Sequence, residues 1–212
     1  MDLRQEAHGF VDETPVSAYA PRNWGNLGRG RTGALAAEAR FLEDLRERVA
    51  RDGALTFPGH PKDHRIARDF PGELGRVTPQ PERVAARAVR AEEEVVRSIG
   101  AGYQRLLITD HQGPTLDELE RFEAVLGELP AGTWVHFHCR GGKGRAATFL
   151  LLYDILRNAH QVALSALLLR QRLLSRYAID ELAAPGDWKR PYQEERLLQV
   201  RAFYARRRAA AR

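Results

Sequence analysis

The sequence predicts an α/β domain with a twisted, mainly parallel central sheet flanked by helices. Two short runs at residues 103–109 and 133–138 are rich in β-forming and apolar side chains. Each run is followed by a loop and then by a helical pattern, at 116–128 and 145–158. This alternation of strand, loop and helix is typical of a parallel sheet, in which ligands bind at the carboxyl ends of the strands.

Turn residues and apolar spacing predict the other elements. A short strand followed by loops is expected at 2–33, and a turn-rich stretch at 53–75. Thr115 is a good N-cap for the helix at 116–128, with Glu118 placed to complete a capping box. Further helices are predicted at 35–50, from Pro81 to Ile99, at 163–174 and at 192–208.

Composition limits the classes of protein and partner. The 212 residues, 43% hydrophobic and 29% charged, fit a single globular domain over 1–212. No apolar run approaches the roughly 18 residues of a membrane span. The start of the chain lacks the apolar region of a secretory signal, so we expect a cytoplasmic location or export by a non-Sec route. The sequence does not predict an oligomeric state.

Charge indicates an anionic partner. The net charge of +5 and the pI near 9.7 favour polyanions such as phosphorylated small molecules or anionic lipid headgroups. The absence of a basic motif interleaved with aromatic residues argues against nucleic acid. Cys139 is the only cysteine, so the chain has no internal disulfide and depends on its core for stability.

The segment from Cys139 to Arg145 carries the chemistry. It follows a predicted strand and precedes a predicted helix, and Gly141, Gly142 and Gly144 allow its backbone amides to turn inward. Such a cradle binds a tetrahedral oxyanion and favours the thiolate form of a cysteine within it. Arg145 is placed to grip two phosphate oxygens bidentately. Nucleophile, anion cradle and charge clamp together predict thiol-based phosphoryl transfer.

Two other interpretations of this segment remain. In the first interpretation, Cys139 is a small buried apolar residue beside a glycine turn. The second is a rhodanese-like sulfur carrier, which also uses a cysteine in an amide cradle. A phosphatase additionally needs an acid for the leaving oxygen, and Asp110 is the candidate because it ends the preceding strand at the same sheet edge. His111 is expected either to contact a substrate phosphate or to cap the turn.

With these residues in place, the chain resembles the protein-tyrosine-phosphatase superfamily, whose signature is His-Cys, five residues, Arg. More narrowly, it resembles the bacterial PTP-like phytases, or myo-inositol polyphosphate phosphatases. The similar segments are Asp2-Leu-Arg-Gln-Glu-Ala-His-Gly, Asn23-Trp-Gly-Asn-Leu-Gly, Thr109-Asp-His with Pro114, Trp134-Val-His-Phe-His-Cys, and Leu152-Tyr-Asp-Ile-Leu-Arg-Asn-Ala.

The resemblance implies roles for particular residues. Cys139 would be the nucleophile, Arg145 the clamp and Asp110 the general acid and base. His111, Lys189 and Tyr192 would be substrate contacts. The reaction implied is hydrolysis of phosphomonoesters through phosphocysteine, with no metal ion and no cofactor.

Two departures from the family pattern affect these expectations. Ala146 occupies the position after the signature arginine where the superfamily usually has Ser or Thr, whose hydroxyl stabilises the departing thiolate. Thr148 would point elsewhere on the helix, so the intermediate is expected to break down more slowly than it forms. Arg140 and Lys143 make the loop basic, as in phosphoinositide phosphatases of the same superfamily.

These features predict a substrate with several phosphates, because additional cations near the site favour it over a single phosphotyrosine. An inositol polyphosphate is the first expectation and a phosphoinositide headgroup the second. A phosphotyrosine protein is a third. A phosphate-binding pseudoenzyme that retains the cradle but turns over poorly stays open because of Ala146. Predicted substrate contacts in the loop are Arg140, Gly141, Gly142, Lys143 and Gly144.

Overall fold

The structure is a computed structural model that describes residues 1–57 and 81–210. Its strands are β1 (His8–Val11), β2 (Thr14–Ser17), β3 (Ala54–Phe57), β4 (Glu82–Ala85) and β5 (Val89–Arg90). Its α-helices are α1 (Arg31–Asp52), α2 (Glu92–Ser98), α3 (Leu116–Glu128), α4 (Gly144–Asn158), α5 (Leu164–Ser175) and α6 (Arg190–Ala209), and a 3₁₀ turn covers Pro21–Asn23. Most of the stretch predicted to be turn-rich, 58–75, lies outside the described residues. Within the described ranges, no helix has the length and apolar character needed to cross a membrane.

The centre of the fold joins the start of the chain to the two segments predicted as strands. Parallel bridges link Asp2 to Arg105 on one side and to His138 on the other. The Leu3 amide donates to the His138 carbonyl at 3.0 Å, and the Leu106 amide donates to the Asp2 carbonyl at 2.8 Å. This arrangement places both predicted site loops at the same end of the central segments, and the α/β class is confirmed.

The regular strands pair antiparallel, unlike the parallel bridges at the centre of the fold. Strand β1 pairs antiparallel with β2 and with β5, and β3 pairs antiparallel with β4. In the described part of the chain the predicted parallel pairing is therefore present as single bridges, whereas the regular ladders are antiparallel. The segments at 103–109 and 133–138 share only a few backbone hydrogen bonds with the start of the chain, which is why they are extended without forming long strands.

The helices at 35–50, 116–128, 145–158, 163–174 and 192–208 are confirmed, with ends shifted by a few residues. The Thr115 hydroxyl caps α3 by accepting the Glu118 amide at 3.4 Å, whereas the Glu118 carboxylate pairs with Arg31 at 3.2 Å. The helix predicted from Pro81 to Ile99 is wrong over its first half. Residues 82–85 pair with β3 instead, and the Asp12 carboxylate accepts the Ala88 amide at 2.9 Å, so long-range pairing overrides local helix propensity.

Helix α4 lies at the heart of the larger hydrophobic core. Phe149, Leu151 and Ile155 are fully buried and belong to the same cluster as Leu106 and Phe122, which come from the central segment and from α3. A smaller cluster lies between α1 and the β-hairpins. Because α4 is buried along most of its length, its N-terminus is held in a fixed position beside the loop that contains Cys139.

Candidate active site

Cys139 lies in the loop between the central segment and α4, as the sequence predicts, and it is partly buried. Gly142 has a φ of +64°, which glycine adopts without steric penalty. A side chain at Gly144 would come within 3.2 Å of Arg196 Nη1, whereas the space beside Gly141 is open. The N-terminus of α4 therefore lies close to the Arg196 guanidinium, and the helix dipole there also favours an anion.

Arg145 is held beneath this loop by an acidic partner. Its Nη1 and Nη2 donate to the two carboxylate oxygens of Glu6 at 2.6 and 2.8 Å, and Nη1 also donates to the Ile108 carbonyl at 3.1 Å. Its Nε lies 3.3 Å from Asp110 Oδ1. The edge of the guanidinium that carries Nη1 and Nη2 is therefore occupied by Glu6. This pairing fixes the position of the Arg145 cation.

The charge of Arg145 is maintained despite its burial. Burial by itself lowers the pKa of the guanidinium, but the hydrogen bonds and charge of Glu6, together with Asp110 and Cys139, raise that pKa above its usual value. A permanently charged arginine near the Cys139 thiol is suited to stabilise negative charge on an anion that binds there.

Asp110 is held from the side by the 3₁₀ turn and the residue that follows it. The Trp24 indole Nε1 donates to the backbone carbonyl of Asp110 at 2.9 Å. The Asn23 Nδ2 donates to Asp110 Oδ2 at 2.6 Å, while Oδ1 accepts the His111 amide at 3.0 Å. The main chain and the carboxylate of the predicted general acid are thus both fixed, and Asp110 lines the same cavity as Cys139.

His111 packs against an aromatic side chain next to Asp110. Its ring meets the Trp188 ring edge-on with 4.9 Å between centroids, and its φ of +70° lies in the left-handed region. The pKa of His111 is lowered, first by burial and then by the charges of Lys189 and other cations, against the raising effect of Asp110. The imidazole is therefore neutral at neutral pH and available as a hydrogen-bonding group.

A cavity of about 810 Å³ opens above Cys139 and collects most of the predicted site residues. Asp110 is the only carboxylate among the described residues that line it. The predicted residues that line the cavity are Cys139, Arg145, Asp110, His111, Arg140, Gly141, Lys143, Gly144 and Lys189. Such a cluster of cations in a concave site suits a ligand that carries several negative charges.

Two predicted substrate contacts do not line this cavity. The Tyr192 ring packs edge-on against Trp24, with 5.5 Å between centroids, so Tyr192 supports the segment that holds Asp110. Gly142 lines a separate hollow together with Ala146 and Ser175 on another side of the loop. Their expected substrate contacts stay predictions that this geometry does not favour.

Further functional candidates emerge only from the structure. Arg22 lines the cavity with its guanidinium over Trp24 and Trp188, at 4.9 and 4.1 Å from the ring centroids. Arg196 lines it from α6, is almost fully buried, and donates from Nη2 to a tyrosine hydroxyl at 3.0 Å. Lys189 and Arg196 are seven residues apart, a spacing that places two side chains on the same face of a helix, and this is the signal that would have indicated Arg196. Glu6 and Asn23 lie within the segments that resemble the family, but the sequence did not indicate a role for either residue.

A buried charged cluster lies behind the loop. Asp2, His8 and Glu92 approach one another closely enough to hold a metal ion. Arg4 already forms an ion pair with Asp2 at 2.8 Å and another with Glu92, and Arg105 lies 3.5 Å from Asp2. Arginine side chains thus supply the positive charge in this cluster, which fits an ion-pair network better than a metal centre.

Comparison with known proteins identifies the family. The sequence model of the PTP-like phytase family, described as "Inositol hexakisphosphate", matches residues 1–157. The chain belongs to the PTP-like phytase family. Solved PTP-like phytases share its fold. The one from Bdellovibrio bacteriovorus is 36% identical, with a TM-score of 0.78 over 98% of this chain and 70% of its own.

Two PTP-like structures from Mitsuokella multacida also match. The tandemly repeated PTP-like phytase is 30% identical, with a TM-score of 0.82, and the match covers 98% of this chain and 33% of that one. The PTP-like myo-inositol phosphatase in complex with myo-inositol-(1,3,4,5)-tetrakisphosphate is also 30% identical, with a TM-score of 0.83, and covers 97% of this chain and 32% of that one.

One curated relative is named as an effector protein. Effector protein hopD2 of Pseudomonas syringae pv. tomato is 31% identical over 206 residues, which are 96% of this chain and 41% of the relative. This PTP-like phytase chain thus spans about two fifths of the length of the curated relative that it matches.

Proposed function

We propose that the chain is a cysteine-dependent phosphatase that hydrolyses phosphomonoesters of inositol polyphosphates through a phosphocysteine intermediate. The observation that carries this proposal is the cavity of about 810 Å³ in which Cys139, Asp110 and Arg145 meet a set of further cations. Family membership supports the same reaction class.

In the first step the Cys139 sulfur attacks phosphorus, and the bond between phosphorus and the leaving oxygen breaks. Asp110 gives its proton to that oxygen, so the alcohol leaves neutral. Arg145 and the amides of the loop balance the charge on the phosphoryl oxygens. In the second step a water oxygen attacks the phosphorus of phosphocysteine, Asp110 takes up the proton of that water, and the sulfur leaves as a thiolate together with inorganic phosphate.

The cations around the cavity support a polyphosphorylated substrate. Arg22, Lys143 and Lys189 lie at its edge, where they can bind phosphates of a ring whose reacting phosphate is at Cys139. The Mitsuokella relative in complex with an inositol tetrakisphosphate makes this class of ligand the first to test. Phosphoinositide headgroups present the same chemistry, and phosphotyrosine presents only one phosphate.

A phosphate-release panel tests the proposal. The substrates are inositol hexakisphosphate, lower inositol phosphates, phosphoinositides in vesicles and phosphotyrosine peptides, each assayed with the parent and with Cys139→Ser. We expect release from the soluble inositol phosphates by the parent and none by the variant. Release confined to vesicles or to peptides would move the assignment to that substrate. Activity with thiosulfate and cyanide, but none with phosphate esters, would indicate a sulfur carrier.

A phosphate-binding pseudoenzyme is the second candidate, and Ala146 favours it. The Thr148 hydroxyl, which is the nearest alternative, donates to the Gly144 carbonyl at 2.7 Å and is buried. Neither residue therefore offers a hydroxyl for the departing thiolate. If Cys139→Ser and the parent bind inositol hexakisphosphate equally and the parent releases no phosphate, the chain is a binding protein.

A further inference from the structure

Asn23 connects two site residues that lie far from it in the sequence. Its Nδ2 donates to Asp110 Oδ2 at 2.6 Å, and its Oδ1 accepts a hydrogen bond from Arg140 Nη1 at 2.5 Å. Both ends of the amide are therefore engaged by residues of the cavity. Arg140 was predicted to contact substrate, but this geometry directs one of its nitrogens at Asn23.

The chemistry of arginine fixes which way the Asn23 amide faces. A guanidinium can only donate hydrogen bonds, so the side-chain oxygen of Asn23 must face Arg140. The NH₂ group must then face Asp110. If Arg140 were absent, the amide could rotate by half a turn and present its oxygen to Asp110.

This orientation matters to a general acid. A protonated Asp110 that faced the oxygen of Asn23 would donate its proton to that oxygen and be held there. Facing an NH₂ group, it has no acceptor on that side, so its proton stays free for the leaving oxygen. The other carboxylate oxygen, Oδ1, accepts the His111 amide and lies beside Arg145 Nε, and these neighbours are also donors.

We propose that Arg140 and Asn23 form a positioning relay that orients the Asp110 carboxyl group for proton transfer. Neither residue has to touch the substrate for this role. The relay rests on the proposed phosphatase function, because it acts on the step in which Asp110 protonates the leaving oxygen.

The backbone supports a specific role for asparagine here. Arg22 and Asn23 both have left-handed conformations, with φ of 58° and 60°. Such a conformation costs most side chains roughly 1–2 kcal/mol, and asparagine is among the few that tolerate it, because its short polar side chain bonds locally. Two consecutive residues of this kind turn the Asn23 side chain towards Asp110, while Trp24 holds the carbonyl of Asp110.

The first test compares two esters that depend differently on the general acid. Phenyl phosphate has a poor leaving group and needs the proton, whereas p-nitrophenyl phosphate has a good one and needs it less. Asn23→Gly keeps the left-handed backbone without strain and removes the side chain. We expect kcat/KM to fall at least about 10-fold more on phenyl phosphate than on p-nitrophenyl phosphate, since general acid catalysis is worth about 10²–10⁴-fold.

A matched control makes the same change elsewhere. Asn158 donates to Asp154 at 2.7 Å near the end of α4, away from the cavity, so Asn158→Gly also removes a hydrogen bond between an asparagine and an aspartate. We expect it to leave the ratio of the two esters unchanged. If Asn23→Gly also leaves the ratio unchanged while Asp110→Asn alters it, the relay is overturned.

The second test asks whether Arg140 acts through Asn23. Arg140→Met is combined with Asn23→Gly in a double-mutant cycle measured on phenyl phosphate. If Arg140 works through Asn23, the double variant has the same kcat/KM as Asn23→Gly alone. Effects that multiply would mean that Arg140 contacts the substrate independently, and the proposed relay would be wrong.

These outcomes are separable from failure of the phosphatase proposal. A parent that hydrolyses neither ester nor any inositol phosphate removes the proposed function, and with it the relay. A parent that hydrolyses both esters, with an Asn23→Gly variant that unfolds at the same temperature as the parent and keeps the ester ratio, removes only the relay.

Discussion

The floor and the rim of the cavity are built differently. On the floor, Arg145 is nearly inaccessible and is paired through two hydrogen bonds with Glu6, which is also buried. On the rim, Arg22 and Lys143 are exposed, and Arg22 and Lys189 lie over the Trp188 ring. The floor cation is fixed by a carboxylate, while two of the rim cations are supported by an aromatic face.

In the proposed mechanism this difference separates chemistry from substrate selection. A cation that is already paired and buried moves little when a ligand enters, so it serves the transition state of every substrate. Cations stacked on aromatic rings keep their charge available for a phosphate. Changes to the floor should therefore lower kcat for all substrates, and changes to the rim should raise KM for polyphosphates alone.

The largest expected effect is that of Asp110→Asn. The amide cannot supply a proton to the leaving oxygen, so kcat/KM on inositol hexakisphosphate should fall by about 10²–10⁴-fold. Steady-state phosphate release measures it, with the exposed Asp117→Asn as the control. An equally large loss of kcat/KM on p-nitrophenyl phosphate, whose good leaving group needs the proton less, would contradict a role as general acid.

Glu6→Gln tests the floor directly. Removal of one partner of a buried ion pair costs about 3–5 kcal/mol in the free energy of unfolding, because the remaining charge is left uncompensated. Urea denaturation measures the loss, and kcat should fall with every substrate. Glu194→Gln breaks an exposed pair with Arg190, for which we expect less than about 1 kcal/mol. Equal losses in the two variants would mean that the buried pair between Arg145 and Glu6 does not stabilise the protein more than an exposed pair, and would contradict a cation fixed by Glu6.

Ala146→Ser should restore the hydroxyl that the floor lacks. Ala146 is buried in the first turn of α4, directly after Arg145. Rapid-quench kinetics of the parent on p-nitrophenyl phosphate should show a burst of nitrophenol, because phosphocysteine breaks down slowly. In Ala146→Ser the burst should shrink and kcat should rise by roughly 10-fold, the scale of one hydrogen bond to a charged group. Ala147→Ser should change neither, and a parent without a burst at normal turnover would refute the idea.

Lys189→Met tests the rim. The loss of one phosphate contact should raise KM for inositol hexakisphosphate by about 10-fold, with kcat nearly unchanged, because a uniform binding interaction is removed. The KM for p-nitrophenyl phosphate should stay the same. Arg97→Met, on α2 and away from the cavity, is the control. A fall in kcat on both substrates would place Lys189 in the chemistry.

The smallest expected effect concerns pH. Because the folded-state pKa of His111 is lowered from 6.5, mainly by burial, the unfolded chain binds more protons as the pH falls below that value. The contribution of His111 to stability is therefore neutral above pH 6.5 and becomes unfavourable below it. In His111→Asn, which suits the left-handed backbone, the free energy of unfolding should fall less at acid pH than in the parent. Urea denaturation at a series of pH values measures this difference. Identical pH dependence in the two proteins would exclude it.

The site residues that the sequence indicated belong to local patterns, whereas those it did not indicate depend on contacts between residues far apart in the chain. Cys139, Gly144 and Arg145 lie within one short segment, and Asp110 ends a run whose pattern is local, so spacing alone indicated them. Helix α3 was indicated by its Thr115 cap. Spacing did not indicate Glu6, because its contact with Arg145 spans 139 residues.

The wrong helix prediction and the contacts that the sequence did not indicate have the same cause. Residues 82–85 have helix-compatible composition but pair with β3, a partner that no local pattern identifies. The substrate contact of Tyr192 stays a prediction, and the packing of its ring against Trp24 is a tertiary contact that spacing did not indicate. The bond from Asn23 to Asp110 crosses 87 residues, so its role depends on a tertiary arrangement rather than on a motif.

Trapping the intermediate tests the central claim most directly. The parent is mixed with p-nitrophenyl phosphate, quenched in acid within milliseconds and examined by intact mass and peptide mapping. We expect one phosphoryl group on the peptide that contains Cys139, and none in Cys139→Ser. Phosphate release by the parent without this adduct, or release that persists in Cys139→Ser, would contradict a cysteine-dependent mechanism.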